Sequence, residues 1–314
     1  MSAGDGDGWA FCDLGHEHWG VYGAAGLLVY HHDADGRTHV LLQHRSRWSH
    51  NGGTWGVLGG ARDSHESSEA TALREATEEA GLRLIQSREA RPMGRRGGEG
   101  PADGVDVVGT IRDDHGGWAY DTVIAAADRL LPAHAANRES RDVTWVPVEQ
   151  VPDRKLHPGF AQTWPLARTA LGRLVVVVDV ANVMGARANG WWKDRAGAAA
   201  RLRDDISAAL PSGLTGGALP GELGLPALYH WYPEVVLVVE GQARDIGGAA
   251  DLRVVAAPGS GDDTIVAEAA AARATPGDRV VVVTADRELR ERVAGVGATG
   301  VGPRWLLGLL DGTA

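Results

Sequence analysis

Only one cysteine, Cys12, occurs in the 314 residues. An internal disulfide framework is excluded, and a single thiol suits a reducing cytosol. With one thiol and no paired ligand pattern around it, a cysteine-based zinc site is not expected either. Long apolar runs are also missing. The stretch Leu174 to Val178 falls far short of the roughly 20 apolar residues that cross a bilayer, so it reads as a buried strand. No basic stretch followed by an apolar core opens the sequence, as a secretory signal would require. The expectation is a cytoplasmic chain without membrane association.

Basic charge is scarce as well. The net charge is −10, with 17 basic against 24 acidic residues before Arg173 and 14 against 17 from there on. Neither part carries the broad electropositive footprint of a duplex-binding protein, which leaves room only for a local patch on a short single strand. There is no long Ser/Pro spacer and no internal repeat. A chain of this length exceeds the size at which single cores stop growing. Two α/β domains are expected, 1–172 and 173–314.

Residues 60–82 read GARDSHESSEATALREATEEAGL. Helical spacing gathers Glu75, Glu78 and Glu79 on one face, where like charges repel unless a cation sits between them. Ser67 can cap the helix start with Glu69 in the first turn, and Gly81 can supply a left-handed stop. Ala70, Leu73, Ala76, Thr77 and Ala80 form the expected packed face. Gly59 and Gly60 supply the backbone freedom of a tight loop. Gly26 to Tyr30 and Val40 to Gln43 read as strands, and Trp55 leads into the glycine loop.

With Gly60, Glu66, Arg74, Glu75, Ala76, Glu78, Glu79, Gly81 and Leu82 at their spacings, the segment resembles the Nudix hydrolase box at every defined position. The resemblance implies an α/β/α sandwich with a mixed sheet. It also implies hydrolysis of a nucleoside diphosphate linked to another moiety. Glu75, Glu78 and Glu79 would hold Mg2+ or Mn2+, hard cations that keep waters and share substrate phosphates, with a glutamate as general base. Arg74 would orient a glutamate, Glu66 would support the loop, and Gly59 and Gly60 would approach the substrate. Leu58 stands where the family often has proline, and the absence of that fixed backbone angle is expected to loosen the loop without touching any metal ligand. Glu139, in RESRDVTW, is either a further loop ligand or a solvated acid.

From Arg173 the pattern changes to Val-rich strands at 174–182, 235–241, 252–258 and 279–289 with helices between, the signature of a mainly parallel sheet. Asp179 and Asn182 follow the first strand, Glu240 ends the second, Asp262 and Asp263 open a helix, and Asp286 follows the fourth. One acid at a strand end can simply cap a helix, whereas several converging on one edge suit magnesium or manganese. These motifs resemble the NYN branch of the PIN-like ribonucleases. That likeness implies metal at Asp179, Asp262 or Asp263, and Asp286, with Asn182 orienting the first aspartate or contacting substrate. Glu240 is either a further ligand or a solvated loop acid.

Asn189 to Lys193 and Arg195 join adjacent tryptophans, Trp191 and Trp192, to bases. One tryptophan either stacks a base of single-stranded RNA or lies on the surface while its neighbour packs. Three functional readings follow: a nucleotide-derivative hydrolase with an attached nuclease, a single RNA 5′-end processing device, or a hydrolase with a non-catalytic nucleotide- or RNA-binding module. The sequence does not indicate an oligomeric state.

Overall fold

The computed structural model describes residues 4–82, 85–86, 104–187, 190–249 and 252–312. They divide into two compact units. The first holds the described residues up to 171 together with 226–229, and the second holds the described residues of 172–225 and 230–312.

In the first unit, β1 (Trp9–Phe11) and β2 (Glu17–Trp19) form an antiparallel hairpin. Next come β3 (Ala24–His32), β4 (Thr38–Arg45), β5 (Trp55–Gly56), β6 (Leu58–Ala61) and α1 (Ser68–Ala80). After them follow β7 (Ile85–Gln86), β8 (Gly104–Asp114), β9 (Ala119–Ala127), β10 (Ser140–Pro147) and α2 (Pro158–Thr169). The sheet runs β10-β4-β3-β9-β8, with β5 beside β4, β6 beside β3 and β7 beside β8. It is mixed, because β3 runs parallel to β9 and antiparallel to β4 and β6.

Side-chain alternation along a strand explains how two layers form on this sheet. Ala25, Leu27 and Val29 of β3 join Leu41, Val123 and the Ala72, Ala76 and Ala80 row of α1 in one core. The intervening Leu28, Tyr30, Leu42 and Ile124 are buried too, so both faces are covered. Ser67 caps α1 by accepting from the Ala70 N–H, and Gly81 ends it at φ 66°. The packed face differs from the expected one: Leu73, Ala76 and Ala80 pack, but Ala70 and Thr77 are exposed. Strand groups bind Glu79 and draw it into the interface, which turns the helix so that the row four residues apart faces the sheet.

The second unit contains β11 (Leu174–Asp179), α3 (Val180–Gly185), α4 (Arg195–Ala209), β12 (Leu214–Thr215), β13 (His230–Trp231), β14 (Glu234–Val239) and β15 (Leu252–Ala256). They are followed by α5 (Gly261–Arg273), β16 (Arg279–Val283), α6 (Arg287–Gly295), β17 (Thr299–Val301) and α7 (Pro303–Leu310). Five strands form the order β15-β14-β11-β16-β17, every pair parallel. Val175, Val177, Val236, Val238 and Val282 pack on Ile265 and Ala269 of α5 and on Leu289 and Val293 of α6. Val176, Val178 and Leu237 are buried on the opposite face, which is why these strands are near-continuous runs rather than alternating ones. The chain moves outward from β11 through β14 to β15, then crosses back to β16. Strand order therefore reverses beside β11, the place where open α/β sheets bind ligands at their carboxyl edge.

Among the described residues no helix is long and apolar enough to cross a membrane. Leu237→Ala, which empties a fully buried site, is expected to cost about 2–5 kcal/mol in denaturant unfolding. Ala70→Ser, on the solvent side of α1, is expected to change stability by less than about 0.5 kcal/mol.

Candidate functional site

Arg74 organises the first acidic constellation. Its Nε and Nη2 donate to the two carboxylate oxygens of Glu66 at 2.8 and 2.9 Å, a bidentate charge-assisted pair. Nη2 also reaches the Ala61 carbonyl at 2.9 Å, and Nη1 donates to Glu75 at 2.7 Å and lies 3.9 Å from Glu78. Glu66 in turn accepts from the Thr71 hydroxyl at 2.9 Å. One guanidinium thus fastens the segment before the helix to the strand β6 and to the acidic face of α1.

Glu79 is 1% exposed. Its two oxygens accept from the Gly59 backbone N–H at 2.8 Å and the Gln43 side-chain amide at 2.7 Å, and the same amide donates to Ser140. Gly59 and Gly60 lie in strand β6 with no positive φ, so a tight-loop conformation is not their reason for being glycine. Close approach is. A Cβ on Gly60 would stand 2.5 Å from the Glu75 carboxylate, and one on Gly59 would stand 2.5 Å from the backbone of Ala25 and Gly26. Leu58, fully buried beside them, packs into the core.

Charge is unbalanced here. Burial pushes the Glu75 carboxyl up to about 7, aided by Glu78 and Glu139 and opposed by Arg74. Burial pushes Glu79 up to about 8, with Glu75 adding to the rise. Glu78 is exposed on the same face, and Glu139 comes close enough to raise Glu75 while itself lying on the surface. Converging carboxylates of this kind suit a hard divalent cation, whose charge would reverse both shifts. Sequence reasoning missed Gln43 and Ser140. The one signal in the sequence was a glutamine closing the apolar run Val40 to Leu42. Trp55 carries the His44 ring stacked at 4.7 Å and the Arg154 guanidinium at 4.1 Å, which fixes the indole before the glycine strand.

In the second unit, Asp179 is 8% exposed and accepts from the Asn182 backbone N–H at 3.0 Å and the Thr284 hydroxyl at 3.0 Å. Burial raises its pKa, with Asp262 and Glu240 contributing. Burial also raises that of Asp262, assisted by Asp286 and Glu240. Asp179, Asp262, Asp286 and Glu240 therefore share one field at the carboxyl edge. Asp263 points elsewhere: it is bound by Arg292 at 2.5 Å and its side chain is 81% exposed. Of the two alternatives the structure brings Asp262 in.

The Asn182 side chain accepts from the Ala285 N–H rather than binding Asp179, so it fixes the loop that leads to Asp286. Asp286 caps α6, and Glu240 accepts from the Gly261 N–H at the start of α5. Trp192 is 57% exposed, while Arg195 lies 5.4 Å over the Trp191 ring. Asn189 lies outside the described residues.

A family model for the NUDIX domain matches residues 23–166. A Mycobacterium tuberculosis protein named "Putative 8-oxo-dGTP diphosphatase 3" is 50% identical over 167 residues, spanning 53% of this chain and 71% of that relative. A Bifidobacterium longum "Nucleoside triphosphate pyrophosphatase/Nudix hydrolase fusion protein" is 41% identical over 173 residues, spanning 54% of this chain and 32% of the relative. A solved Nudix hydrolase from M. smegmatis, RenU, aligns with TM-score 0.43 and 43% identity over 52% of this chain and 93% of its own. The chain belongs to the Nudix family. It is a metal-dependent hydrolase of phosphoanhydride bonds, and the residues that match the family model lie in its first unit.

Arg74 holds the Glu66 carboxyl at about 2, against an ordinary value of 4.5. A carboxylate depressed on folding stabilises fully above its unfolded pKa and loses that stabilisation as pH falls through the folded one. Glu66→Gln is therefore expected to be less stable than the parent at neutral pH. The gap should close as pH drops from about 4.5 toward about 2 in denaturant unfolding at fixed ionic strength.

Proposed function

We propose that the first unit hydrolyses the pyrophosphate bond of a nucleoside diphosphate linked to another moiety, through Glu66, Arg74, Glu75, Glu78 and Glu79 beside Gly59 and Gly60. The carrying observation is the pair of buried carboxylates, Glu75 and Glu79, pushed up to about 7 and about 8 beside the exposed Glu78. Mg2+ or Mn2+ bound there would polarise a phosphoryl oxygen and lower the pKa of a bound water. Glu79 is held immobile by Gly59 and Gln43, which suits a ligand of fixed geometry. Glu78, exposed and only 3.9 Å from Arg74, has the freedom to take a proton from water as general base. Glu66 and Arg74 are positioning residues, and the bare Gly60 backbone leaves the Glu75 carboxylate room at the strand.

The name of the mycobacterial relative supports a nucleoside triphosphate with an oxidised purine as a substrate. A hydrolysis panel that includes 8-oxo-dGTP, dGTP, ADP-ribose, NADH and dinucleoside polyphosphates decides among the classes. With the best substrate, Glu78→Gln is expected to lower kcat by at least about 100-fold while circular dichroism is unchanged, and full retained turnover would refute its role. Below about pH 7–8 protons occupy Glu75 and Glu79, so manganese binding must displace them. Calorimetry in buffers of different ionisation enthalpy is expected to register proton release at pH 7 that fades toward pH 9, with affinity rising over the same interval.

A second reading concerns residues 173–314 as a NYN/PIN-like domain with nuclease activity on single-stranded RNA. It is supported by Asp179, Asp262 and Asp286 meeting at the reversal point of a parallel sheet, with Trp192 exposed for stacking. The expected outcome is manganese-dependent cleavage of single-stranded RNA that Asp179→Asn abolishes. Binding without cleavage favours a recognition module instead. Removal of pyrophosphate from 5′-triphosphorylated RNA in the same assay favours a joint 5′-end processing role.

A further inference from the structure

Away from the glutamates, the first unit assembles a second set of donors of opposite chemical character. The Cys12 sulfur and one ring nitrogen each from His16, His18 and His115 all lie within 4.8 Å of one another. Cys12 follows β1 and His16 precedes β2, so the hairpin turn supplies both, and His18 follows two residues later. His115 arrives from the turn between β8 and β9, about a hundred residues along.

The surroundings are those of a site already oriented. The His18 ring stacks on Trp118 with centroids 4.0 Å apart and planes 10° from parallel, and Trp118 is anchored through its indole N–H to the Gly20 carbonyl at 2.9 Å. His115 Nε2 lies 3.2 Å from the Asp113 carboxylate. A carboxylate on the outer nitrogen is the arrangement that fixes tautomer and aim in metal-ligating histidines. The other His115 nitrogen, Nδ1, is buried without a hydrogen-bond partner among the described residues, and so is His18 Nε2. Buried nitrogens lacking a partner are costly, and two of them on histidines gathered around one thiol call for an acceptor of lone pairs. Backbone bonds hold the two turns in place: Cys12 N–H to the His16 carbonyl at 3.0 Å, Asp13 N–H to the Gly116 carbonyl at 2.9 Å, and His115 N–H to the Trp118 carbonyl at 2.9 Å.

We infer that Cys12, His16, His18 and His115 form a structural zinc site that clasps the β1–β2 hairpin to the β8–β9 turn. One thiolate and three imidazoles complete a tetrahedral shell with no open position, at bonds of about 2.3 Å to sulfur and about 2.0 Å to nitrogen. Ligands so bound stand roughly 3.5 Å apart, so the observed spread of up to 4.8 Å closes with small side-chain rotations. Binding transfers the thiol proton to solvent and leaves the imidazoles neutral. Soft sulfur and nitrogen donors disfavour magnesium, which takes oxygen ligands. The site therefore stays distinct from the glutamates. It braces the segment Gly20 to Gly23, whose Tyr22 and Gly23 carbonyls accept from Arg62 just after β6.

Full-length protein made without an affinity tag, stripped by a chelator and titrated with Co2+, tests this directly. The expected result is a thiolate-to-cobalt charge-transfer band and the intense visible bands of tetrahedral cobalt that saturate at one equivalent, all displaced by Zn2+ and untouched by Mg2+. Cys12→Ser should remove the charge-transfer band, and His16→Ala, at an exposed position, should weaken cobalt binding with folding preserved. Asp113→Asn should weaken it about 10–100-fold. Glu78→Gln should keep the thiolate-to-cobalt charge-transfer band unchanged, which separates this site from the glutamate site. Zinc should also raise the thermal midpoint of the stripped protein by several degrees. Absence of tetrahedral cobalt bands, or an unchanged spectrum in Cys12→Ser, overturns the assignment.

Discussion

The hydrogen bond from the Gly59 backbone to the buried Glu79 carboxylate is the constraint on which the first unit turns. Burying a carboxylate is expensive unless donors meet it, and here the donors belong to two different strands of one sheet. Gly59 belongs to β6 and Gln43 to β4, so the carboxylate ties α1 to both at once. The phase of the helix follows, because a buried Glu79 leaves the alanine row to meet the sheet and turns Ala70 and Thr77 outward. The glycines follow as well, since no side chain fits between β6 and either β3 or Glu75.

Two acidic sites in one chain are built from opposite local logic. In the first unit the acids ride on one helix face, and an arginine within the same turn spreads its charge among them. In the second they stand at the ends of separate strands and helices, and Asp179 is held by a hydroxyl and a backbone N–H rather than by a cation. Helix spacing fixes the first arrangement within a few residues, whereas the second exists only once β11 and β16 are paired.

That difference decides what could be read in advance. The Ser67 cap, the Gly81 stop, the Val-rich strands and the glutamate spacing are local patterns, and they were legible from residues alone. Choosing Asp262 over Asp263 needed the folded placement of both, Asp263 exposed and bound by Arg292 about thirty residues away, Asp262 within the field of Asp179 and Asp286. The Asn182 side-chain oxygen, expected to orient the first aspartate or contact substrate, accepts from the Ala285 backbone N–H, a partner visible only after the sheet forms. Gly59 and Gly60 were marked for turn freedom, but the fold uses their lack of a side chain.

Cys12 shows the same limit from the other side. A single thiol without a nearby second cysteine argues against a zinc site, and that reasoning counts only ligands close in sequence. Histidine removes the restriction, because three imidazoles and one thiolate complete a shell as well as four thiolates do, and a turn between two distant strands supplies the last of them. A short hairpin such as β1–β2 buries little apolar surface of its own: Trp9, Phe11 and Trp19 are all substantially exposed. Two strands alone are marginal in water, and among the described residues only the small cluster of Cys12, Ala24 and Trp118 reaches the turn, so the convergence of four donors there adds the staple that this limited packing does not supply.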